Sequence, residues 1–268
     1  MCLITFAWRP GHATPLVLAA NRDEFYERPT RALGAWHDVP GLHAGRDLEA
    51  GGTWLGLGQG GRFAALTNIR DPRHPATGRS RGELCVGFLG GTQTPEAFMA
   101  EAHRRAADYA GFNLLVGDGR ELWFLHSRGP GPRRLEAGLY GLSNADLDTP
   151  WPKVRKTKAA LAECLDVVRP ADLLNLMHDP QPASDATLPD TGVGLETERM
   201  LSPVFIASRT YGTRATTALI VRGDGSREVV ERGFGPFGKP LDDVHLNLRT
   251  RWGDGQTQAE PLPATQRS

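Results

Sequence analysis

The chain has 268 residues, 40% of them hydrophobic, and its 31 Lys and Arg residues balance its 31 Asp and Glu residues. A chain with zero net charge has no global field that would draw it to nucleic acid or to an anionic membrane surface. No stretch approaches the ~18 consecutive apolar residues of a membrane-spanning helix, so we expect no integral membrane segment. The three cysteines, at positions 2, 85 and 164, are too widely spaced for a disulfide framework or a metal-binding pair. Together with the absence of a signal-peptide pattern, this spacing favours a reducing, cytoplasmic location.

The first predicted element is a β-hairpin that carries a thiol at its first residue. Cys2 follows Met1 and begins an apolar run to Trp8, and a second strand over 16–20 leads into Asn-Arg-Asp-Glu at 21–24. If Met1 is removed, Cys2 gains a free α-amine, whose pKa of about 7.7–8.0 allows it to act as the base for its own side chain. That is the chemical plan of an N-terminal nucleophile. A Cys in this position is nevertheless more often a small buried apolar residue, so the surrounding residues must decide.

The next segment contains a glycine pattern that could be mistaken for a nucleotide site. Residues 26–30 and 45–52 are predicted loops, and a strand is expected at 53–55. Gly56, Gly58 and Gly61 match G-x-G-x-x-G, but a strand-like run at 62–68 follows them where the dinucleotide fingerprint requires a helix. We therefore predict a glycine-rich hairpin turn and no nucleotide.

The rest of the chain alternates pairs of helices with pairs of strands. Pro170 opens one helix, and Thr94 with Pro95 gives the N-cap and first residue of another. Lys153, Lys156 and Lys158 are expected outside the apolar face of their helix. The predicted helices cover 83–89, 95–109, 151–165 and 170–178, and the predicted strands cover 112–116, 121–125, 138–142, 214–221, 227–234 and 244–248. Residues 179–200 are predicted to be a long loop or lid, and 251–268 a disordered polar tail. This pattern favours one α+β domain over 1–250, with antiparallel sheets flanked by helices.

Polar residues that suit acyl-transfer chemistry recur at the ends of the predicted strands. Arg22 and Asp23 close the first hairpin, and Arg214 opens a late strand. Asn68 and Asn144 each follow a strand, and an amide suits an oxyanion hole because it donates hydrogen bonds without titrating. An Arg near Cys2 would depress its thiol pKa. Singly, each is more often a turn or surface residue; together with an N-terminal Cys they favour a catalytic site.

Six motifs resemble those of the NRDE family, which includes the eukaryotic transport-and-Golgi-organisation proteins. They are Met-Cys-Leu-Ile at 1–4, Asn-Arg-Asp-Glu at 21–24, Gly-Thr-Trp-Leu-Gly at 52–56, Thr-Asn-Ile-Arg at 67–70, Gly-Leu-Ser-Asn-Ala at 141–145 and Tyr-Gly-Thr-Arg at 211–214. The resemblance extends from residue 1 to about 235 and leaves the polar tail outside it.

More distantly, the chain is similar to the choloylglycine hydrolase and penicillin V acylase branch of N-terminal-nucleophile hydrolases. The resemblance implies a four-layer αββα sandwich and a catalytic set of Cys2, Arg22, Asp23, Asn68, Asn144 and Arg214. The first hairpin departs from that branch, in which Arg precedes Asn, whereas here Asn21 precedes Arg22. Either residue can therefore occupy the position of the enzymes' Arg.

Two functions follow from the resemblance. In the first, Cys2 attacks an amide or thioester bond of a small-molecule or lipid substrate, and no cofactor is required. In the second, the same fold is not catalytic and carries haem, acyl-CoA or another acyl lipid, since family members are linked to haem trafficking and lipid homeostasis. The chain has no C-x-x-C-H motif for fixed haem attachment, but a transient carrier does not need one. The oligomeric state is not readable from the sequence.

Overall fold

Two antiparallel sheets of seven strands each form the centre of the molecule. The computed structural model describes residues 2–73, 78–250 and 257–260. In spatial order, the first sheet contains β10 (Gly138–Leu142), β1 (Cys2–Trp8), β2 (Leu16–Phe25), β11 (Tyr211–Val221), β12 (Ser226–Phe234), β13 (Pro240–Thr250) and β14 (Thr257–Glu260). The second sheet contains β3 (Thr30–Ala35), β4 (His43–Asp47), β5 (Leu55–Leu57), β6 (Phe63–Asn68), β7 (Phe112–Gly117), β8 (Leu122–His126) and β9 (Arg133–Arg134).

Helices cover the outer face of each sheet. Helices α1 (Gly82–Gly90) and α2 (Pro95–Arg104) pack on the second sheet, and α3 (Pro152–Cys164) and α4 (Pro170–Leu176) pack on the first. A fifth helix, α5 (Leu195–Leu201), precedes β11. The layers are therefore helix, sheet, sheet, helix, and the predicted αββα sandwich is confirmed.

Strand β1 shows how the sequence produces these layers. Ile4, Phe6 and Trp8 belong to the apolar core between the two sheets, whereas Leu3 and Ala7 belong to the core under α3 and α4. Successive side chains of a strand point to opposite faces, so a strand buried on both faces has a continuous apolar sequence. The apolar run of β1 thus reflects its central position between two layers.

Several boundaries differ from the sequence-based prediction. Strands β3 and β4 lie partly in stretches predicted to be loops, because β4 contains Gly45 and charged residues that have low strand propensity. Pairing with β3 and β5 determines the conformation of β4, and a Cβ on Gly45 would lie 2.3 Å from the Trp54 ring. The predicted loop over 179–200 contains most of α5, the helix predicted over 95–109 ends at Arg104, and β13 is longer than the strand predicted at 244–248.

The glycine-rich turn lies between strands, as predicted. A short 3-10 turn over Gln59–Gly61 connects β5 to β6, and no α-helix begins there. Gly60 and Gly61 have φ values of 62° and 81°, in the left-handed region that glycine adopts without steric cost. The segment therefore does not have the strand–turn–helix geometry of a dinucleotide site.

Part of the predicted polar tail is paired as a strand. Thr257–Glu260 forms β14 beside β13, whereas 251–256 and 261–268 lie outside the described residues, so disorder there stays a prediction. Within the described part of the chain, no helix is both long and apolar enough to cross a membrane.

Candidate active site

Cys2 lies in the wall of a cavity of about 470 Å³. The cavity is lined mainly by polar groups, including four arginines and four carboxylates: Arg22, Arg28, Arg79, Arg81, Asp23, Glu24, Asp47 and Glu49. Asn68 and Trp54 complete the part of the lining nearest to the strand ends. Of the six residues predicted to act together, the cavity lining includes Cys2, Arg22, Asp23 and Asn68.

The register of the first hairpin distinguishes Asn21 from Arg22. Cys2 on β1 is paired directly with Arg22 on β2. Side chains of directly opposed residues in an antiparallel pair point to the same face, so Arg22 is on the face of Cys2 and Asn21 is on the other. The structure thus places Arg22, and not Asn21, beside the thiol.

Asn21 instead connects the first sheet to the helical layer. Its buried side-chain nitrogen donates to the backbone oxygens of Met177 (2.9 Å) and Val204 (2.8 Å), and its side-chain oxygen accepts from Thr216 Oγ1 (2.6 Å). All of these groups are buried, so the amide satisfies polar atoms that would otherwise lack partners. Its position is that of a structural residue.

Arg22 is held by charge and by stacking. Its guanidinium carbon lies 4.2 Å from the centre of the Trp54 ring, and Nη2 lies 3.6 Å from Asp47 Oδ2. Nη1 donates to Thr30 Oγ1 at 3.3 Å. These contacts hold a positive charge on the face of the sheet that carries Cys2.

Asp23 is buried and faces several cations. Thr213 Oγ1 donates to its Oδ1 at 2.8 Å. Burial raises the pKa of Asp23, while the charges of Lys153 and of the amino terminus act in the opposite direction. An amino-terminal amine near this carboxylate would be stabilised in its charged form.

Lys153 corrects the prediction made for the lysines of α3. It was expected on the outer face, but its side chain is 4% exposed and its Nζ donates to the backbone oxygen of Leu201 at 2.9 Å. Burial lowers the pKa of Lys153 to about 8, although the charge of Asp23 partly offsets this shift. The helix begins with Pro152, and Lys153 in its first turn points towards the strand ends that carry Asp23.

A buried ion pair lies next to Lys153. Arg70 Nη1 and Glu198 Oε2 are 2.6 Å apart, and their side chains are 5% and 3% exposed. Arg70 also stacks 4.8 Å from the centre of the Trp151 ring. Sequence reasoning assigned neither charge to the site. Their pairing connects α5 to the segment after β6 and gives the predicted lid region a fixed contact with the site.

The two candidate oxyanion-hole residues, Asn68 and Asn144, differ in whether their side-chain amides are already hydrogen-bonded. The Asn68 side chain lines the cavity and makes no hydrogen bond to any described residue. Asn144 is buried, and its Nδ2 donates to the backbone oxygen of Asn68 at 2.9 Å. Its Oδ1 accepts from Ser143 Oγ at 3.2 Å and from Arg70 Nη2 at 3.5 Å. Asn68 is thus placed to contact a ligand, and Asn144 holds the strand end that presents it.

A set of cross-sheet hydrogen bonds fixes this arrangement. Thr67 Oγ1 donates to the backbone oxygen of Ser143 (2.6 Å). Asn113 Nδ2 donates to Thr67 Oγ1 (3.0 Å) and to the backbone oxygen of Ala145 (2.8 Å). Ser143 Oγ also lies 3.2 Å from the backbone oxygen of Cys2, so its single hydroxyl proton is shared between this oxygen and Asn144 Oδ1. The ends of β1, β6 and β10 are therefore bonded together at the cavity.

Arg214 lies behind the cavity wall. It is the extra residue of a β-bulge, because Thr213 pairs with Asp23 while Ala215 pairs with Arg22. Its Nη1 donates to the backbone oxygens of Phe25, at 3.1 Å, and of Arg28. Bulges redirect side chains in this way near functional sites. Arg214 supports the turn that carries Arg28 and is absent from the cavity lining.

The electrostatics of Cys2 differ from the simple expectation. Burial raises the pKa of the Cys2 thiol, while the amino-terminal charge and Arg22 lower it and Asp23 raises it further. Arg22 lowers the pKa of the Cys2 thiol, as the sequence predicted for a nearby arginine, but the desolvation of the buried thiol raises it more. Cys2 is therefore mainly a neutral thiol near pH 7 and needs a base to react.

Another part of the cavity wall is formed where two backbones approach closely. A Cβ on Gly52 would lie 2.6 Å from the Gly82 carbonyl carbon, so this contact requires glycine. It brings the start of α1, together with Arg81, against the loop before β5. Among the described residues, no group of three His, Cys, Asp or Glu side chains could hold a metal ion.

Residues 1–236 match the family model "Transport and Golgi organisation 2". The chain belongs to this family. It is 36% identical over 261 residues to the human Transport and Golgi organization protein 2 homolog and 34% identical over 257 residues to the mouse protein. Each alignment covers 87% of this chain and 93% of the relative.

A solved hydrolase shares the fold. The crystal structure of the C2A mutant of conjugated bile acid hydrolase from Clostridium perfringens aligns with a TM-score of 0.52 and 7% identity, over 98% of this chain and 97% of that one. At this identity the similarity establishes the architecture alone. The family predicted from the sequence motifs and the N-terminal-nucleophile hydrolase type of fold are both confirmed.

Proposed function

We propose that this protein is an N-terminal-nucleophile hydrolase that cleaves an amide or thioester bond of a small acyl compound or lipid, with Cys2 as the nucleophile. The observation that carries the proposal is the position of Cys2. It is the first residue of a central strand, lines a cavity beside Arg22 and Asp23, and faces the same cavity as the unbonded amide of Asn68.

The mechanism requires removal of Met1, which gives Cys2 a free α-amine. The amine accepts the thiol proton as sulfur attacks the carbonyl carbon. It is therefore the base that the neutral Cys2 thiol requires. Asn68 donates to the oxyanion, and Asp23 stabilises the ammonium group. The C–N or C–S bond then breaks as the ammonium proton passes to the leaving group. Water attacks the Cys2 thioester, loses a proton to the amine, and releases the carboxylic acid and the thiol.

Substitution of Cys2 tests this function. A panel of acyl amides and thioesters is screened with the wild-type chain and with Cys2→Ala, and Cys164→Ala serves as the control because that thiol is half-buried on α3 away from the cavity. We expect turnover with the wild type and the control and none with Cys2→Ala. Equal turnover in Cys2→Ala contradicts the proposal.

The carrier alternative receives less support from the cavity. Haem iron is commonly ligated by His, Cys, Met or Tyr, and among the described residues of the lining only Cys2 is of these types, with its thiol pKa raised by burial. The charged lining also offers little apolar wall to a macrocycle or an acyl chain. Haem titration followed by Soret absorbance distinguishes the two, since a saturable shift lost in Cys2→Ala would favour the carrier.

We also propose a reducing, cytoplasmic location. All three cysteines are free thiols, and Cys2 must remain reduced in order to act as a nucleophile.

A further inference from the structure

One arginine of the cavity differs from the others in having no carboxylate partner. Arg81 belongs to the cavity lining, but it forms no ion pair with any described residue. The other arginines of the lining are each paired: Arg22 with Asp47 at 3.6 Å, Arg28 with Asp47 at 2.7 Å and Glu49 at 2.9 Å, and Arg79 with Glu83 at 2.7 Å. A positive charge in a half-buried position is costly unless a negative charge accompanies it.

The local structure leaves most of the Arg81 guanidinium available. Its Nη1 donates to the backbone oxygen of Gly111 at 3.3 Å, and the group has five N–H donors in all. Arg81 immediately precedes α1, where the contact of Gly52 with Gly82 holds the helix start against the cavity. Burial lowers the pKa of Arg81, while the charges of an ionised Cys2 and of Glu24 raise it and that of Arg28 lowers it further.

We propose that the substrate carries a negatively charged group next to its scissile carbonyl and that Arg81 binds this group. A carboxylate, sulfonate or phosphate would match the planar fork of the guanidinium. Arg214 does not have this role, because its guanidinium binds the backbone oxygens of Phe25 and Arg28. The inference rests on the proposed function in taking the cavity as the substrate site, and it can be tested without turnover.

Two alkylating reagents that differ in charge provide the test. Iodoacetate carries a carboxylate where iodoacetamide carries a neutral amide, and the two reagents are otherwise the same. Peptide fragmentation measures how much of each adduct forms at Cys2. Because a charge-assisted hydrogen bond contributes about tenfold or more, Arg81→Gln should lower the iodoacetate-to-iodoacetamide rate ratio about tenfold. Arg81→Lys, which keeps the charge, should retain most of the preference. Arg46→Gln removes the same charge from a position outside the cavity, where Arg46 binds Asp38, and should leave the ratio unchanged.

Two outcomes of this test contradict the proposed role of Arg81. If both alkylation rates are unchanged in Arg81→Gln, the proposal is overturned. An equal fall in both rates also overturns it, because Arg81 would then act on the thiolate and not on the ligand.

A measurement on the wild-type chain does not depend on any variant folding. The thermal unfolding midpoint is recorded with N-acetylglycine and with N-acetylglycinamide as probes. We expect the anion to raise the midpoint more than the neutral amide, and an equal or smaller shift contradicts anion binding. Selective anion binding without turnover of any acyl substrate would contradict the proposed hydrolase function and support the anion site. Turnover without a preference for charged substrates would support the hydrolase function and contradict the anion site.

Discussion

Two polar regions flank Cys2, and they differ in how far water reaches them. The closed cluster is formed by Arg70, Lys153, Glu198 and Asp23, whose buried carboxylate also borders the cavity, and it contains two acidic and two basic side chains. The open cavity on the other side is also lined by charges, but among the described residues Arg81 there forms no ion pair and bonds only to the backbone oxygen of Gly111. Buried charges that are paired with one another hold side chains in place. A charge that contacts water can exchange that water for a ligand. The comparison assigns positioning to the closed cluster and recognition to the open cavity.

The largest expected effect comes from breaking the ion pair of the closed cluster. Glu198→Ala leaves Arg70 buried without its carboxylate, which should lower the free energy of unfolding by about 3–5 kcal/mol. Arg199→Gln is the matched control, since Arg199 is the next residue on α5 and its ion pair with Asp185 is exposed. Chemical denaturation measures both variants. A loss in Glu198→Ala no larger than in the control would mean that the cluster is not closed to water.

The adjacent residues Asn21 and Arg22 provide the second test, because they point to opposite faces of β2. Asn21→Ala removes three buried hydrogen bonds, to the backbone oxygens of Met177 and Val204 and to Thr216 of β11, and should lower the free energy of unfolding by about 2–4 kcal/mol. Arg22→Ala should have less effect on stability but slow the alkylation of Cys2 at pH 8, since Arg22 lowers the pKa of that thiol. Denaturation and adduct mass measure the two effects. The reverse pattern would contradict the assignment of faces.

A pH series on Lys153 tests whether the closed cluster holds a poorly solvated cation. The folded-state pKa of Lys153 is lowered to about 8, below the unfolded value of about 10.4, so the unfolded chain binds more protons between these values. The free energy of unfolding of the wild type should therefore rise relative to Lys153→Met across this window, by about 1–3 kcal/mol. Lys156→Met, on the exposed side of α3, should not alter the pH dependence. Parallel stability curves for wild type and Lys153→Met would count against a buried lysine.

The smallest effect is expected in the alkylation profile of Cys2 itself. Because burial raises the pKa of this thiol, its rate with iodoacetamide should still be increasing above pH 8.5, about the ordinary thiol pKa. Residue-specific adduct mass at a series of pH values gives the profile. A plateau below pH 8 would show a preformed thiolate and remove the need for the α-amine as a base.

The comparison also explains what the sequence could predict. The first hairpin, its thiol and the polar strand ends follow from local patterns, because strand alternation and turn residues act over a few positions. The burial of Lys153 does not, because its place beside Asp23 depends on how α3 docks on β1 and β10. Arg70 and Glu198 are 128 positions apart, and no local pattern indicates their pairing. The choice between Asn21 and Arg22 required the register of β1 against β2.

The central claim is that Cys2, freed of Met1, forms a covalent acyl intermediate. The most direct measurement is the mass of the amino-terminal peptide after brief incubation of the purified chain with p-nitrophenyl butyrate. The account predicts a peptide that begins at Cys2 and carries one butyryl group, which hydroxylamine releases as it does a thioester, while Cys85 and Cys164 remain unmodified. A peptide that retains Met1, or one that begins at Cys2 and stays unacylated, would contradict it.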